Sequence, residues 1–186
     1  MSHIFVISGP SRSGKSSIAK HLLAMPLLQL SKIISTTSRA PREGEKNGVD
    51  YFFVSKEEFH EMILDEKFAE WLEVHHHLYG IAKSELNNKM QSAKNILLVI
   101  DVKGARAVKQ LYPAITIFIT PSSIQDIQQR MRNAGFPKEE IATRLATARE
   151  ELECKDEFDY TVINETGNLN ATVVKVAQII KNATSK

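Results

Sequence analysis

Two short runs, Ile-Leu-Leu-Val-Ile at 96–100 and Ile-Thr-Ile-Phe-Ile at 115–119, constrain this fold most. Nearly every position in them is apolar and most are β-branched or aromatic, so a strand built from either must be covered on both faces. Such strands belong to parallel sheets with helices above and below. The further strand candidates are His3–Ser8, Ile33–Thr37 and Tyr160–Asn164, with the two runs extended to Asn95–Asp101 and Ile115–Thr120. Amphipathic segments at 15–24, 103–110, 123–133, 139–154 and 169–182 alternate with them. That alternation predicts an α/β fold, a parallel sheet core with helices on both faces and right-handed crossovers.

Two regions break the rhythm. Residues 36–82 open with a polar stretch, then give an extended Tyr51–Val54, a helix near 56–65 headed by a Ser55/Glu58 capping-box pair, and a strand near 70–76. This reads as an inserted lobe. Gly135 and Pro137 interrupt two helices and suggest a flap, here taken as 131–149; Ser123 and Asp126 are spaced like a further cap. With no repeats, linkers or low-complexity tracts, 1–186 reads as one domain whose core is 1–35, 83–130 and 150–186.

Bulk properties exclude several classes. Hydrophobic residues at 42% and charged residues at 25% exclude a disordered or fibrous chain, and a net charge of +2 is too small for a nucleic-acid or membrane surface. No apolar run approaches the ~20 residues of a membrane span, and no signal-peptide architecture precedes the first strand. A single cysteine excludes an internal disulfide framework. A cytoplasmic protein, monomer or homodimer, is the expectation.

Gly-Pro-Ser-Arg-Ser-Gly-Lys-Ser, Gly9 to Ser16, fits G-x-x-x-x-G-K-[ST]. The first strand precedes it and a helix follows, as a phosphate-cradling loop requires. The loop wraps its amides around the anion, Lys15 reaches the β- and γ-phosphates, and the Ser16 hydroxyl goes to Mg²⁺. A chance glycine turn is the competing reading, which the order strand, loop, helix disfavours. Further on, Ser35, Arg39, Arg42, Glu45 and Tyr51 lie in a loop containing Gly44 and Gly48. Guanidinium forks grip phosphate oxygens in pairs and a tyrosine hydroxyl adds a neutral donor. A solvated charged loop is the bland alternative, but two anion-binding elements suit a protein holding a donor and an acceptor together.

The stretch Thr37-Ser38-Arg39-x-x-Arg42-x-x-Glu45-x-x-Gly48-x-x-Tyr51-x-Phe53 resembles the guanylate kinase signature at every defined position. The resemblance continues through Gly9–Ser17, Glu70-Trp71, Tyr79-Gly80, Ile100-Asp101 with Gly104, and Asp159-Tyr160 with Val162–Asn164. It implies a P-loop nucleoside-monophosphate kinase, with a core, a GMP-binding lobe at about 36–82 and a short lid, that carries out ATP + GMP → ADP + GDP with Mg²⁺. It further implies that Gly9, Pro10, Ser11, Arg12, Ser13, Gly14, Lys15, Ser16, Ser17 and Asn164 meet ATP. Ser35, Arg39, Arg42, Glu45, Tyr51, Glu70, Tyr79 and Asp101 would hold GMP, Glu70 and Asp101 reading the base. Lys15, Arg39, Arg130 and Arg144 would be catalytic. Two ionised carboxylates suit guanine, whose N1–H and N2–H are adjacent donors, and leave adenine's N1 acceptor facing an acceptor.

Four positions depart from the family pattern. Arg12 stands at a glycine, Ile81 at a serine or threonine that donates to guanine O6, Val99 at an acidic residue, and Ala134 at a lid arginine for which Arg132 could deputise. Consecutive His75, His76 and His77 point to alternate faces of a strand and cannot all ligate one metal. Cys154 reads as a packing residue. A non-catalytic binding module of the same fold, and a kinase for another phosphorylated acceptor such as a ribosyl bisphosphate, are the rival readings. Lys15, Ser16, Arg130 and Arg144 together argue against the first, and Glu70 with Asp101 against the second.

Overall fold

The computed structural model describes residues 3–74, 76–91 and 94–185. Its core is a five-stranded, wholly parallel sheet in the order β2-β7-β1-β8-β9, formed by β1 (Ile4–Ser8), β2 (Leu30–Lys32), β7 (Asn95–Val99), β8 (Ala114–Pro121) and β9 (Tyr160–Asn164). Every residue of central β1 is buried. Phe5 and Ile7 face α1 (Lys15–Leu23) and α7 (Leu169–Thr184), packing with Ile18, Leu22, Val173, Val176 and Ile180. Ile4 and Val6, on the other face, pack with Leu86, Ala105 and Val108 of α3 (Lys83–Gln91) and α4 (Val102–Leu111). The two-residue period thus feeds two apolar layers, each fully buried aliphatic side chain contributing about 1.5–3 kcal/mol.

A second sheet, β4-β3-β6-β5, forms the inserted lobe from β3 (Thr36–Thr37), β4 (Phe52–Phe53), β5 (Phe68–Val74) and β6 (His77–Ala82). Helix α2 (Lys56–Leu64) covers it through Phe59, stacked 4.4 Å from Phe68, and the Ser55/Glu58 capping box closes as expected. Three readings change. The strand expected at Ile33–Thr37 survives only as β3 at Thr36–Thr37 in the second sheet; the stretch 33–35 is a passage between sheets, because Leu30–Lys32 takes the core edge and Ile33 donates its N–H to Leu97 O before the chain departs. The strand expected near 70–76 is β5, which stops at Val74 ahead of a turn that includes exposed His76 at φ +65, with His77 on β6; His75 lies outside the described residues. Helix α3, which buries only Leu86, lacks the periodic apolar stripe that would have announced it.

Helices α5 (Ile124–Asn133) and α6 (Lys138–Glu153) form a hairpin with its own small cluster of Ile127, Met131, Ile141, Leu145 and Ala148. A Schellman motif ends α5: Gly135, at φ +76, donates to Arg132 O and Phe136 donates to Met131 O. No helix among the described residues is long and apolar enough to cross a membrane.

Asp159 locks the last crossover. Its Oδ2 accepts from the N–H and hydroxyl of buried Thr116 at 2.8 and 2.7 Å, and its Oδ1 meets Lys109 Nζ at 2.8 Å. Asp159→Ala takes the acceptor from the Thr116 N–H and hydroxyl donors and should lower stability by about 1–3 kcal/mol in urea unfolding at neutral pH, with the slope of the transition unchanged.

Candidate active site

The carboxyl end of β1 runs into the loop Gly9–Gly14 and then directly into α1. Gly9, at φ +130, lies so close to β8 that a Cβ would collide with Ile119 O. A Cβ on Gly14, at φ +100, would collide with Asn164 Nδ2. Asn164, at the end of β9, donates that amide to Ser13 O at 2.8 Å and accepts from the Thr172 hydroxyl at 3.1 Å. It therefore supports the loop from beneath and is buried there. The first turn of α1 holds neither a side-chain cap nor an acidic residue, so its amides and positive dipole end stay open to an anion. Lys15 donates Nζ to Gly9 O at 2.6 Å and Pro10 O at 2.9 Å. Burial lowers its pKa to about 8, against the opposing pull of Glu151 and Asp101.

This loop forms one wall of a cleft of about 830 Å³ between the two sheets. Gly9, Ser11, Lys15 and Ser16 line it on the core side; Ser35, Arg39, Arg42, Tyr51, Glu70 and Tyr79 line the lobe side. Asp101 closes the end of β7, while Arg144 and Glu151 reach in from α6. Pro10, Arg12, Ser13, Gly14, Ser17, Glu45, Arg130 and Asn164 are not in this lining.

Arg39 is held before any ligand arrives. Its Nη2 meets both Glu45 oxygens at 2.9 Å, its Nη1 donates to Ala40 O, and its guanidinium lies over the Tyr51 and Phe53 rings. Glu45 also accepts from Arg42 N–H at 2.7 Å. Burial pushes the Glu45 carboxyl up, but hydrogen bonds from Arg42 and Arg39 outweigh that and hold it below the ordinary range. Glu45 thus buttresses Arg39, leaving Arg42, Tyr51 and Tyr79 beside it; the two tyrosine rings meet edge-on at 6.0 Å.

Glu70 is only 9% exposed, and its Oε2 has no hydrogen-bond partner among the described residues. Asp101 is the N-cap of α4, accepting from Gly104 N–H at 2.8 Å through Oδ1. A Cβ on Gly104 would sit 3.4 Å from both Asp101 Oδ1 and Glu70 Oε1, so a small residue there lets β5 and α4 bring the carboxyls to one end of the cleft. Burial, then the charge of Asp101, raises the Glu70 pKa to about 7. Burial raises Glu151 to about 7 as well, with Lys15 opposing and Asp101 adding. Glu151 escaped the sequence reading, although its spacing of seven from Arg144 puts both on one face of α6.

The remaining candidates have definite partners. Arg130 donates to Arg12 O at 3.1 Å and to Asn164 O and the Thr166 hydroxyl at 3.0 Å, so its guanidinium fastens loop to hairpin. Arg144 pairs with Glu140 on its own helix. Arg12 has φ +63, the left-handed conformation a glycine would adopt freely, and turns its side chain outward over Phe136. Cys154 lies at the cleft rim beside Arg106, outside the apolar clusters, which corrects its reading as a packing residue. Ile81 is opposite Glu70 in the β5–β6 register but only 1% exposed, packed in the apolar layer with Ile4 and Val6. Val99 lines the cleft; Ala134 and Arg132 are exposed at the end of α5.

A phosphate-binding loop facing an arginine–tyrosine pocket across one cleft, on an α/β core with an inserted lobe, defines a P-loop nucleoside-monophosphate kinase. The guanylate kinase family model matches residues 1–183. The chain is 41% identical over 182 residues to a guanylate kinase of Prochlorococcus marinus, covering 96% of this chain and 97% of that one. It is 40% identical to one of Thermotoga maritima, covering 98% and 88%. A crystal structure of a guanylate kinase from Anaplasma phagocytophilum superposes with a TM-score of 0.82 at 29% identity, covering 100% of this chain and 87% of that one. This chain belongs to the guanylate kinase family.

The raised carboxyl at position 70 has a consequence for the unliganded protein. A group whose folded pKa of about 7 exceeds its ordinary 4.5 lends stability below pH ~4.5 and loses it as pH rises through ~7. Glu70→Gln should therefore match the parent at pH 4.5 and be more stable at pH 8, by on the order of 2 kcal/mol, in paired urea titrations.

Proposed function

We propose that this chain transfers the γ-phosphoryl group of ATP to GMP, giving ADP and GDP, in a Mg²⁺-dependent reaction. The observation that carries the reading is the cleft itself, with an open loop and helix N-terminus on one wall and a pre-held arginine with two tyrosines on the other. Family membership supports the same assignment, and neither a binding module nor a kinase for another acceptor explains both walls with the Glu70/Asp101 pair between them. A cytoplasmic location fits the single free cysteine.

In this reading the triphosphate of ATP lies on Gly9–Gly14 and the first turn of α1. Lys15 exchanges its bonds to the Gly9 and Pro10 carbonyls for phosphate oxygens, a preformed cation ready for developing charge. Arg39, Arg42, Tyr51 and Tyr79 hold the GMP phosphate, with Ser35 beside them. Glu70 offers its unpartnered oxygen to the guanine N–H donors, and Asp101 offers the oxygen its helix does not use. The attacking phosphate is already anionic, so no general base is required, and positioning and charge neutralisation do the work. For Mg²⁺, Ser16 provides an exposed hard-oxygen donor at the head of α1, a fit for an ion that otherwise takes water and phosphate oxygens. Bound there it would neutralise charge on the phosphates. Arg144 reaches the cleft from α6; Arg130 acts by holding the loop.

An ADP-release assay with GMP, dGMP, AMP, UMP and no acceptor tests the activity: turnover should require a guanine monophosphate, and Lys15→Met should abolish it with the fold intact. Equal turnover with AMP, or near-normal turnover in the lysine variant, would sink the assignment.

Base reading by an ionised Glu70 also predicts a pH effect. The KM for GMP should rise as pH falls below ~7, because the carboxyl takes up a proton and ceases to be a pure acceptor. Glu70→Gln, which cannot titrate, should lose that step in a KM–pH profile. Ile81→Ser should cost about 2–4 kcal/mol of stability in urea unfolding, since Ile81 fills the apolar layer and does not line the cleft.

A further inference from the structure

Phe136 is placed by backbone geometry as much as by packing. The Schellman motif returns its N–H to Met131 O at 3.2 Å, Gly135 supplies the left-handed turn, and Pro137 follows at the head of α6. The ring so fixed collects two guanidiniums. Arg12 Cζ is 4.8 Å from its centroid and Arg144 Cζ is 5.0 Å from it. One comes from the tip of the phosphate loop, the other from α6. The loop tip is tied to the hairpin a second time through Arg130, which donates to Arg12 O.

The electron-rich ring attracts both guanidiniums, and Arg144 keeps its ion pair with Glu140 while it lies there. Arg12 also sits at φ +63, a backbone region that a long side chain occupies at some strain, so the surrounding contacts must hold it there. The departure of Arg12 from the family's glycine thus coincides with an aromatic platform on the facing hairpin.

We propose that Phe136 is a positioning residue of the phosphoryl transfer, whose ring holds the tip of the phosphate loop through Arg12 and steadies Arg144 at the cleft, where the phosphate chain of a nucleoside triphosphate would lie. The inference rests on the ATP:GMP reading of the same cleft. Phe136 acts through the two arginines and does not itself meet substrate. The arginine–tyrosine pocket for the acceptor lies on the other wall, so the effect belongs to the donor.

The test compares Phe136→Leu, Phe136→Tyr and Arg12→Gly in the full chain, measuring kcat, KM for ATP, KM for GMP, thermal unfolding, and ATP binding by calorimetry without GMP. Arg12→Gly should weaken ATP binding and raise its KM about threefold. Phe136→Leu should do the same and also lower kcat about tenfold, because Arg144 loses its platform. Phe136→Tyr, which keeps the ring, should behave as the parent, and KM for GMP should not move in any variant. The double variant Arg12→Gly/Phe136→Leu should bind ATP no more weakly than Phe136→Leu alone. Parental KM for ATP and kcat in Phe136→Leu, an equal loss in Phe136→Tyr, or a change confined to thermal unfolding would overturn the proposal. If the parent releases no ADP with GMP, the activity reading fails, and the calorimetric arms still decide the bridge. If Phe136→Leu does not fold, Phe136→Met, which removes the ring and keeps more of its bulk, decides it by the same readouts.

Discussion

The site exists because all five core strands run the same way. A parallel register brings the carboxyl ends of β1, β7 and β9 to one edge, and each ends in a residue that the cleft uses: Ser8 leads into the phosphate loop, Val99 into Asp101, and Asn164 supports the loop from beneath. Helix N-termini follow from the same topology, since each crossover starts a helix at that edge. The amides of α1 are left open to an anion, while those of α4 are capped by Asp101. One edge therefore carries both a free positive helix end and a carboxylate whose second oxygen is not engaged by its own helix. Gly9 and Gly104 are the steric conditions for this, because a side chain at the first would strike β8 and one at the second would crowd the two acids.

Electrostatic opposition runs across the cleft. The basic side is held by partners of its own: Arg39 by Glu45, Arg144 by Glu140, and Arg130 by loop carbonyls. The acidic side is less well matched. Glu151 has the charge of Lys15 to oppose its burial, whereas Glu70 is buried with an oxygen unmatched among the described residues and feels the like charge of Asp101. An unmatched buried acceptor costs stability in the empty protein and favours a ligand that brings donors. Groups that bind tightly to one another before a ligand arrives need little reordering when it comes, which is the advantage of a pre-held Arg39.

What could be read from the residues divides along a physical line. Strands β1, β7 and β8 were legible because burial on both faces demands nearly unbroken apolar runs, whereas edge strand β9, with only Val162 and Asn164 buried, was legible from its β-branched Thr-Val-Ile. Edge strand β2, Leu-Ser-Lys, has no such demand on it, and the neighbouring Ile33 drew the assignment toward the passage between sheets. Helix α3 buries only Leu86 and left no stripe to detect. The phosphate loop and the Arg39–Phe53 stretch were legible as motifs because spacing there is dictated by backbone turns and by the ligand. Partners brought together by the tertiary fold were not. Nothing local marks Glu151 as facing Lys15, or Arg130 as bonded to three groups from the loop and from beyond β9, since those contacts join segments far apart in the chain.

Arg12 shows why a motif position and a structural position are different statements. The general loop pattern leaves position 12 free, so the residue raised no objection there. The backbone does object, holding it at φ +63, where a glycine would be unstrained. The carbonyl of Arg12 is fixed by Arg130, and its guanidinium finds Phe136. Both contacts come from the α5–α6 hairpin, whose apolar cluster is separate from the two layers of the core. A strained loop tip held by a separately packed hairpin ties the conformation of the one to the placement of the other. Arg12 and Arg130 carry that coupling between loop and hairpin, one through its guanidinium on Phe136 and the other through its bond to the Arg12 carbonyl.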